Sequence, residues 1–221
     1  MPTLFCLNFV KNSNQQSMET KTIPATVYAE LSPNPATMKF VVNKLLLEGA
    51  ATVEYTDADE TSNSPLAARL FNFPFITGIF ISQNFITITK NEIIEWDDVV
   101  LELREYIQEF LNSDNSVFTT PISEKSDDDD SVKTEGSYKP QEPSTELEKK
   151  IVEILEEYIT PAVARDGGAI HFHAFVDGQL SVVLKGACSG CPSSTMTLKN
   201  GIESLMTRMM PEVKEVVAHE G

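Results

Sequence analysis

The sequence predicts an α+β protein in which a flexible acidic linker joins two small α/β domains. Three observations support this prediction: a length of 221 residues, an abrupt change of composition near residue 112, and short strand patterns on both sides of that change. A chain of this length holds one large domain or two small ones. The expected parts are a disordered or artefactual N-terminal extension at 1–19, a first domain at 20–111, a linker at 112–144 and a second domain at 145–221.

Charge limits the partners that the chain can have. The formal net charge is −16, whereas phosphate binding needs clustered Lys and Arg. The same balance disfavours an anionic membrane surface, and no apolar run approaches the roughly 18 residues that span a bilayer. We therefore predict neither nucleic acid nor membrane as a partner.

Cysteine usage and the N-terminus bear on the compartment. The chain has three cysteines, whereas a secreted disulfide scaffold carries more and in even number. The first residues have no basic lead-in and little Arg, so they are poor candidates for a signal or transit peptide. These features favour a bacterial cytoplasm over a mitochondrial matrix.

The first domain shows strand and helix patterns and no catalytic constellation. Runs rich in β-branched and aromatic residues predict strands at 38–42, 51–55, 77–81 and 85–89. A first helix is predicted at 65–71 because Ser64 suits the N-cap and Pro65 the first position. A second helix is predicted at 96–111 from apolar residues spaced by three or four. We expect the carboxylates of this domain to be solvated surface, and recognition rather than chemistry to be its task.

The linker is predicted from its composition. Asp127 to Asp130 form an unbroken acidic run among Ser, Thr, Pro, Lys and Glu. Such a segment buries too little apolar surface to offset its chain entropy. We expect it to be flexible and self-repelling, so that the second domain can swing.

The second domain predicts the order α-β-β-α-β, with helices on one face of a small sheet. A capping-box pattern at 145–148 starts the first helix, and Pro161 follows its expected end. Strands follow at 170–176 and 180–184 around an Asp-Gly turn. Alternation places Ile170, Phe172, Ala174, Val176, Leu180, Val182 and Leu184 on one face. A second helix starts near 192 or 193, and a last strand is expected at 213–218.

Cys188 and Cys191 are the candidate ligand pair. They precede a helix N-terminus, which is expected to lower the thiol pKa and so to suit both ligation and redox work. One interpretation is a dithiol redox site. A second is half of a zinc site, with His171, His173, His219 and Cys6 as the other candidates. A third is an iron–sulfur site that a second chain completes, because such clusters usually need four thiolates. Spacing alone leaves these alternatives open.

The runs at 186–194 and 197–203 resemble the C-terminal domain of the NifU-like (Nfu) iron–sulfur scaffold and carrier family. The turn at 166–168 is also similar, although this chain has Ala169 where the family usually has an acidic residue. The pieces at 33–35 with 39–40, at 64–67 with 70–71, and at 85–90 resemble the family's N-terminal domain, which is thought to help recognise clients and partners.

The resemblance implies a carrier rather than an enzyme. It implies a [4Fe–4S] cluster held by Cys188 and Cys191 of two chains, and therefore a homodimer when the cluster is bound. It further implies transfer to apo-proteins and loading by an upstream assembly scaffold. A thiol–disulfide or zinc-binding protein that uses the same cysteines is the alternative.

Overall fold

The computed structural model describes residues 23–113, 115–120, 143–190 and 192–220. The predicted N-terminal extension with Cys6, the acidic run of the linker, and Cys191 therefore lie outside the described residues. In the part of the chain that is described, no helix has the length and apolar character to cross a membrane.

The N-terminal unit is a five-stranded antiparallel sheet with the order β1-β2-β5-β4-β3. Its strands are β1 (Val27–Leu31), β2 (Thr37–Val42), β3 (Thr52–Tyr55), β4 (Ile76–Ser82) and β5 (Phe85–Lys90). Its helices are α1 (Pro65–Leu70) and α2 (Trp96–Asn112), and a 3-10 helix spans Ala58–Asn63. The four predicted strands and both predicted helices are confirmed.

Strand β1 is the element that the sequence did not predict. It is an edge strand in which Val27 is buried and the other four residues are exposed. Apolar residues do recur at every second position of this strand, Val27, Ala29 and Leu31, but Leu31 is 85% exposed, so the pattern is too short and too weakly buried to identify the strand by itself.

Capping and packing explain the helices of the N-terminal unit. The Ser64 hydroxyl accepts a hydrogen bond from the Ala67 amide at 3.3 Å, and Pro65 opens α1, as predicted. Leu103 and Ile107 of α2 are fully buried against the sheet. Val117 and Phe118, which fall inside the predicted linker, pack against the same core.

The C-terminal unit has the predicted order α-β-β-α-β. It contains α3 (Glu146–Ile154), a π-helical turn (Leu155–Ile159), α4 (Thr160–Arg165), β6 (Gly168–Val176), β7 (Gln179–Gly186), α5 (Pro192–Met209) and β8 (Glu215–Glu220). Strands β6 and β7 form an antiparallel hairpin, and β8 lies parallel to β7 because α5 crosses between them. The predicted α+β fold class is confirmed.

The helix was predicted to end before Pro161, and this prediction is wrong. Helical backbone continues through a π turn into α4, which ends at Arg165. Pro161 lies in the first turn of α4, where a missing N–H is tolerated. The capping box of Thr145 and Glu148 is present as predicted.

A β-bulge in β6 overturns the predicted face of that strand beyond Phe172. The pairing register shifts between Phe172 and Ala174, so that Phe175, not Ala174, lies opposite Leu180. Phe175 packs against the core, and Val176 is 63% exposed. A bulge inserts one residue and reverses the alternation that follows it, which a period-two pattern cannot anticipate.

The two units pack against each other through their sheets. We call the side of the N-terminal sheet that faces away from α1 and α2 the outer face: Lys39, Glu54, Phe80, Phe85 and Thr87. Phe80 and Phe85 form an apolar cluster with Ala169 of β6. Val183 of β7 is only 1% exposed but lies outside the C-terminal core cluster, as expected when the N-terminal unit covers that side.

Helix α2 allows a matched test of core packing in the N-terminal unit. Leu103→Ala, at a residue with no exposure, is expected to lower the free energy of unfolding by about 2–5 kcal/mol. Leu101→Ala, at a residue 57% exposed on the same helix, is expected to change it by less than about 0.5 kcal/mol. Urea unfolding followed by fluorescence of the single tryptophan, Trp96, measures both. Equal losses in the two variants would contradict the described packing of α2.

Candidate functional site

The loop between β7 and α5 carries Cys188, the candidate ligand that the structure describes. Gly186 begins the loop with φ = +65°, a backbone conformation that favours glycine. The Ala187 amide donates to Gly167 O at 3.2 Å, and the Ser189 amide donates to Gly186 O at 3.1 Å. The loop is thus fixed to the turn that precedes β6.

The Cys188 sulfur lies against Gly168. A Cβ on Gly168 would come within 2.7 Å of both Cys188 Sγ and Lys185 O, so only glycine fits there. Cys188 is 7% exposed and belongs to the core cluster of the C-terminal unit. Its carbonyl accepts a hydrogen bond from the Thr195 hydroxyl at 3.2 Å, which connects the loop to α5.

Burial decides the protonation of Cys188. Loss of water around the thiol, with a smaller contribution from the charge of Asp166, raises its pKa to about 12. The expectation of a lowered pKa is therefore wrong for Cys188 in this conformation, because burial outweighs the influence of the helix. The shift bears on redox chemistry and on ligation alike, since the thiolate is both the nucleophile and the metal ligand.

A cavity of about 570 Å³ opens beside Cys188. Cys188, Ala187 and Asp166 line one part of it, and Leu198 and Ile202 of α5 line another. Pro33 of the N-terminal unit also lines it, so both units shape the surroundings of the thiol.

Glu54 of β3 contacts the cysteine loop and was not predicted as a site residue. Its Oε1 accepts a hydrogen bond from the Gly186 amide at 3.1 Å. Desolvation raises the pKa of Glu54, although the bond to Gly186 and the charge of Lys185 oppose this shift. The sequence expectation was a solvated carboxylate. No local pattern reveals the contact, because its partner lies 132 residues away.

The histidines considered as zinc ligands have separate surroundings. His171 Nε2 lies 3.1 Å from Thr52 Oγ1 of the N-terminal unit, and burial lowers its pKa to about 4. The rings of His173 and His219 lie 6.0 Å apart. His219 lies in β8, where it pairs with Val183 of β7. Among the described residues, no three His, Cys, Asp or Glu side chains form a metal-binding group.

Two protein-family models match the chain, the first over the N-terminal unit and the second over the C-terminal unit. Residues 27–114 match the model described as "Scaffold protein Nfu/NifU N terminal", and residues 151–217 match the NifU-like domain. The first match covers the five-stranded unit. The second covers the hairpin, the cysteine loop and α5.

Named relatives are similar to this chain over most of its length. A human protein named NFU1 iron-sulfur cluster scaffold homolog, mitochondrial, is 33% identical over 188 residues, which are 84% of this chain and 68% of the relative. NifU-like protein C1709.19c of Schizosaccharomyces pombe is 31% identical, over 86% of this chain and 71% of the relative. NifU-like protein 4, mitochondrial, of Arabidopsis thaliana is 30% identical, over 86% and 64%.

Fold, site and comparisons together define a two-unit α+β protein that presents a thiol on a glycine-bounded loop. The chain belongs to the NifU-like (Nfu) scaffold family. The family is one of scaffold proteins and not of enzymes, as the sequence predicted.

The expected bacterial cytoplasm is wrong. The human and Arabidopsis relatives are both named as mitochondrial, which points to mitochondria. The expectation depended on an N-terminus poor in Arg, and a weak leader pattern is insufficient ground for a compartment.

The pKa of Cys188 gives a test by alkylation. At pH 8 we expect iodoacetamide to label Cys188 at least about 100-fold more slowly in the native chain than in urea, because only the thiolate reacts. Raising the pH from 8 to about 10 should increase the native rate without levelling off, because the thiol pKa of about 12 lies above this range. In urea the rate should level off above about pH 8.5.

Peptide mapping by mass spectrometry separates Cys188 from the other two cysteines. The urea-unfolded chain serves as the control. A native rate that levels off near pH 8.5 would show that the thiol is not held in the described environment.

Proposed function

We propose that this chain is an iron–sulfur cluster carrier that holds a [4Fe–4S] cluster between two chains. Cys188 and Cys191 of each chain would supply the four thiolates that such a cluster usually requires. The observation that carries the proposal is the family match across 151–217, which contains both cysteines together with the loop that presents Cys188. The human relative is named as an iron–sulfur cluster scaffold.

A two-chain site follows from the number of ligands. The whole sequence has three cysteines, and one of them lies far from the loop at position 6. Two chains related by a two-fold axis bring two identical loops together and supply four thiolates. Loading is therefore coupled to dimer formation.

The cluster is cargo, and transfer is an exchange of ligands. A client thiolate forms a bond to iron as the bond from Cys188 or Cys191 breaks, and the steps repeat until the client holds all the iron. No electrons are transferred in this exchange. The expected partners are apo-proteins with free thiols on the receiving side and an upstream assembly scaffold on the loading side.

Anaerobic reconstitution with iron and sulfide tests the proposal. We expect charge-transfer absorbance and about four irons per two chains, as ligation by four thiolates implies. Cys188→Ala and Cys191→Ala should each abolish loading, because two ligands are then lost from every dimer. Analytical ultracentrifugation should show a dimer in the loaded protein.

Cys6→Ala is the matched control and should load as the wild type does. A full cluster in either single variant of the pair would rule out the two-chain site. Uptake of zinc alone, or a dithiol that cycles near a thioredoxin-like potential, would favour the alternative use of the same cysteines.

A further inference from the structure

The outer face contacts the main chain at two places: the turn between α4 and β6, and Gly186, which begins the loop that carries Cys188. Lys39 Nζ donates to Arg165 O at 3.1 Å, and Thr87 Oγ1 donates to Gly167 O at 2.6 Å. On the other side, Gly186 donates its amide to Glu54. In these three bonds the N-terminal unit supplies a side chain and the C-terminal unit supplies a backbone atom. The outer face therefore recognises the conformation of these loops more than their side chains.

Apolar contacts bury the same surface of the N-terminal sheet. Phe80 is 2% exposed and Phe85 is 3% exposed, although both lie on the side of the sheet away from its own core. They pack with Ala169, and a Cβ on Gly186 would come within 2.8 Å of the Phe80 ring. The absence of a side chain on Gly186 thus lets the two units approach closely.

The buried polar groups distinguish this contact from an incidental one. Lys39 is 7% exposed and Thr87 is 1% exposed. Both side chains find acceptors on the C-terminal unit, as buried polar groups require. A free N-terminal sheet would present these groups and two phenylalanines to water.

One buried group opposes the contact. Glu54 Oε2 is buried and has no hydrogen-bond partner among the described residues. Desolvation raises the pKa of Glu54, so the neutral carboxyl suits the packed arrangement better than the charged one. The packed arrangement therefore leaves one buried carboxylate oxygen unsatisfied, which lowers its stability.

We infer that the outer face is a docking surface for the cysteine-bearing unit of the same chain, and that docking competes with cluster loading between two chains. The occupant is the segment from Arg165 at the end of α4 to Gly167, together with Gly186 at the end of β7. Docking itself rests on the contacts described above. The competition rests on the proposed function.

The competition follows from the position of the N-terminal unit around Cys188. Asn34 Nδ2 lies 3.4 Å from Ser189 O, and Pro33 lines the cavity next to the thiol. The core of the C-terminal unit itself buries Cys188, and Pro33 and Asn34 add to this by lying beside the loop. A cluster shared by two chains needs two such loops to face each other across a two-fold axis. We expect that approach to need the space beside the loop that Pro33 and Asn34 occupy.

Hydrogen exchange of the Gly186 amide in the full-length, metal-free chain tests docking, because its acceptor belongs to the other unit. Glu54→Lys removes the acceptor and adds a second cation near Lys185, so protection of this amide should fall at least about tenfold. Glu54→Gln keeps an acceptor and carries no charge, so protection should stay at or above the wild-type value. Glu102→Lys makes the same charge change on an exposed part of α2 and should leave protection unchanged.

Thr87→Val is a second way to weaken docking, and it tests the docking surface even if the Glu54→Lys variant fails to fold. It removes the donor to Gly167 O with little change of volume, and protection of Gly186 should fall about threefold to tenfold. Unchanged protection of Gly186 in folded Thr87→Val and Glu54→Lys variants would overturn the docking surface.

Loading rates of the same proteins test the competition. If the docked state must open first, Glu54→Lys should load iron at least about threefold faster than wild type, while Glu102→Lys should load at the wild-type rate. Equal loading rates, with Gly186 protection lost as expected, would overturn the competition and leave docking in place. If no variant loads a cluster while protection follows the expected order, the proposed function fails and docking stands.

Discussion

The pairing of Gly168 with Gly186 at the end of the β6–β7 hairpin is the constraint on which the site depends. Neither position has room for a side chain: a Cβ on Gly168 would meet the Cys188 sulfur, and one on Gly186 would meet Gly167 O and the Phe80 ring. The hairpin, the thiol and the N-terminal sheet therefore meet at two adjacent glycines. A substitution at either one would displace the cysteine loop from the hairpin or separate the two units.

The same junction balances favourable and unfavourable contacts. A hydrogen bond to a charged group contributes about 1.5–3 kcal/mol, whereas taking an ion out of water costs several kcal/mol. For Glu54 the second effect is larger, because the net result is a raised pKa in spite of the bond from Gly186. Burial of Phe80 and Phe85 contributes in the opposite, favourable direction.

Much of the fold could be predicted from the sequence because its signals are local. The Ser64 cap, the spacing of apolar residues in α2 and the Asp-Gly turn at 177–178 each fix an element with neighbouring residues. The errors arose where tertiary packing overrides the local pattern. The bulge after Phe172 reverses a face, and the helical backbone continues through a π turn into α4, whose first turn contains Pro161.

The candidate site was predictable only in part, for the same reason. The spacing of Cys188 and Cys191 is a local signal, and it located the loop. The burial that raises the pKa of Cys188 and the contact of Glu54 with Gly186 depend on packing between distant parts of the chain. The sequence of a strand predicts that its carboxylates are exposed to solvent. Only the packing of a second unit against that face of the sheet buries them.

The contacts also explain how the state of the thiol loop can be linked to the arrangement of the two units. A ligand shifts an equilibrium only by the difference in its affinity for the two states. Because the N-terminal side chains bind backbone atoms at Arg165, Gly167 and Gly186, they respond to any movement of these loops. A partner that requires the loop in another conformation therefore works against all three bonds at once. A change confined to an exposed side chain of the loop leaves these bonds intact.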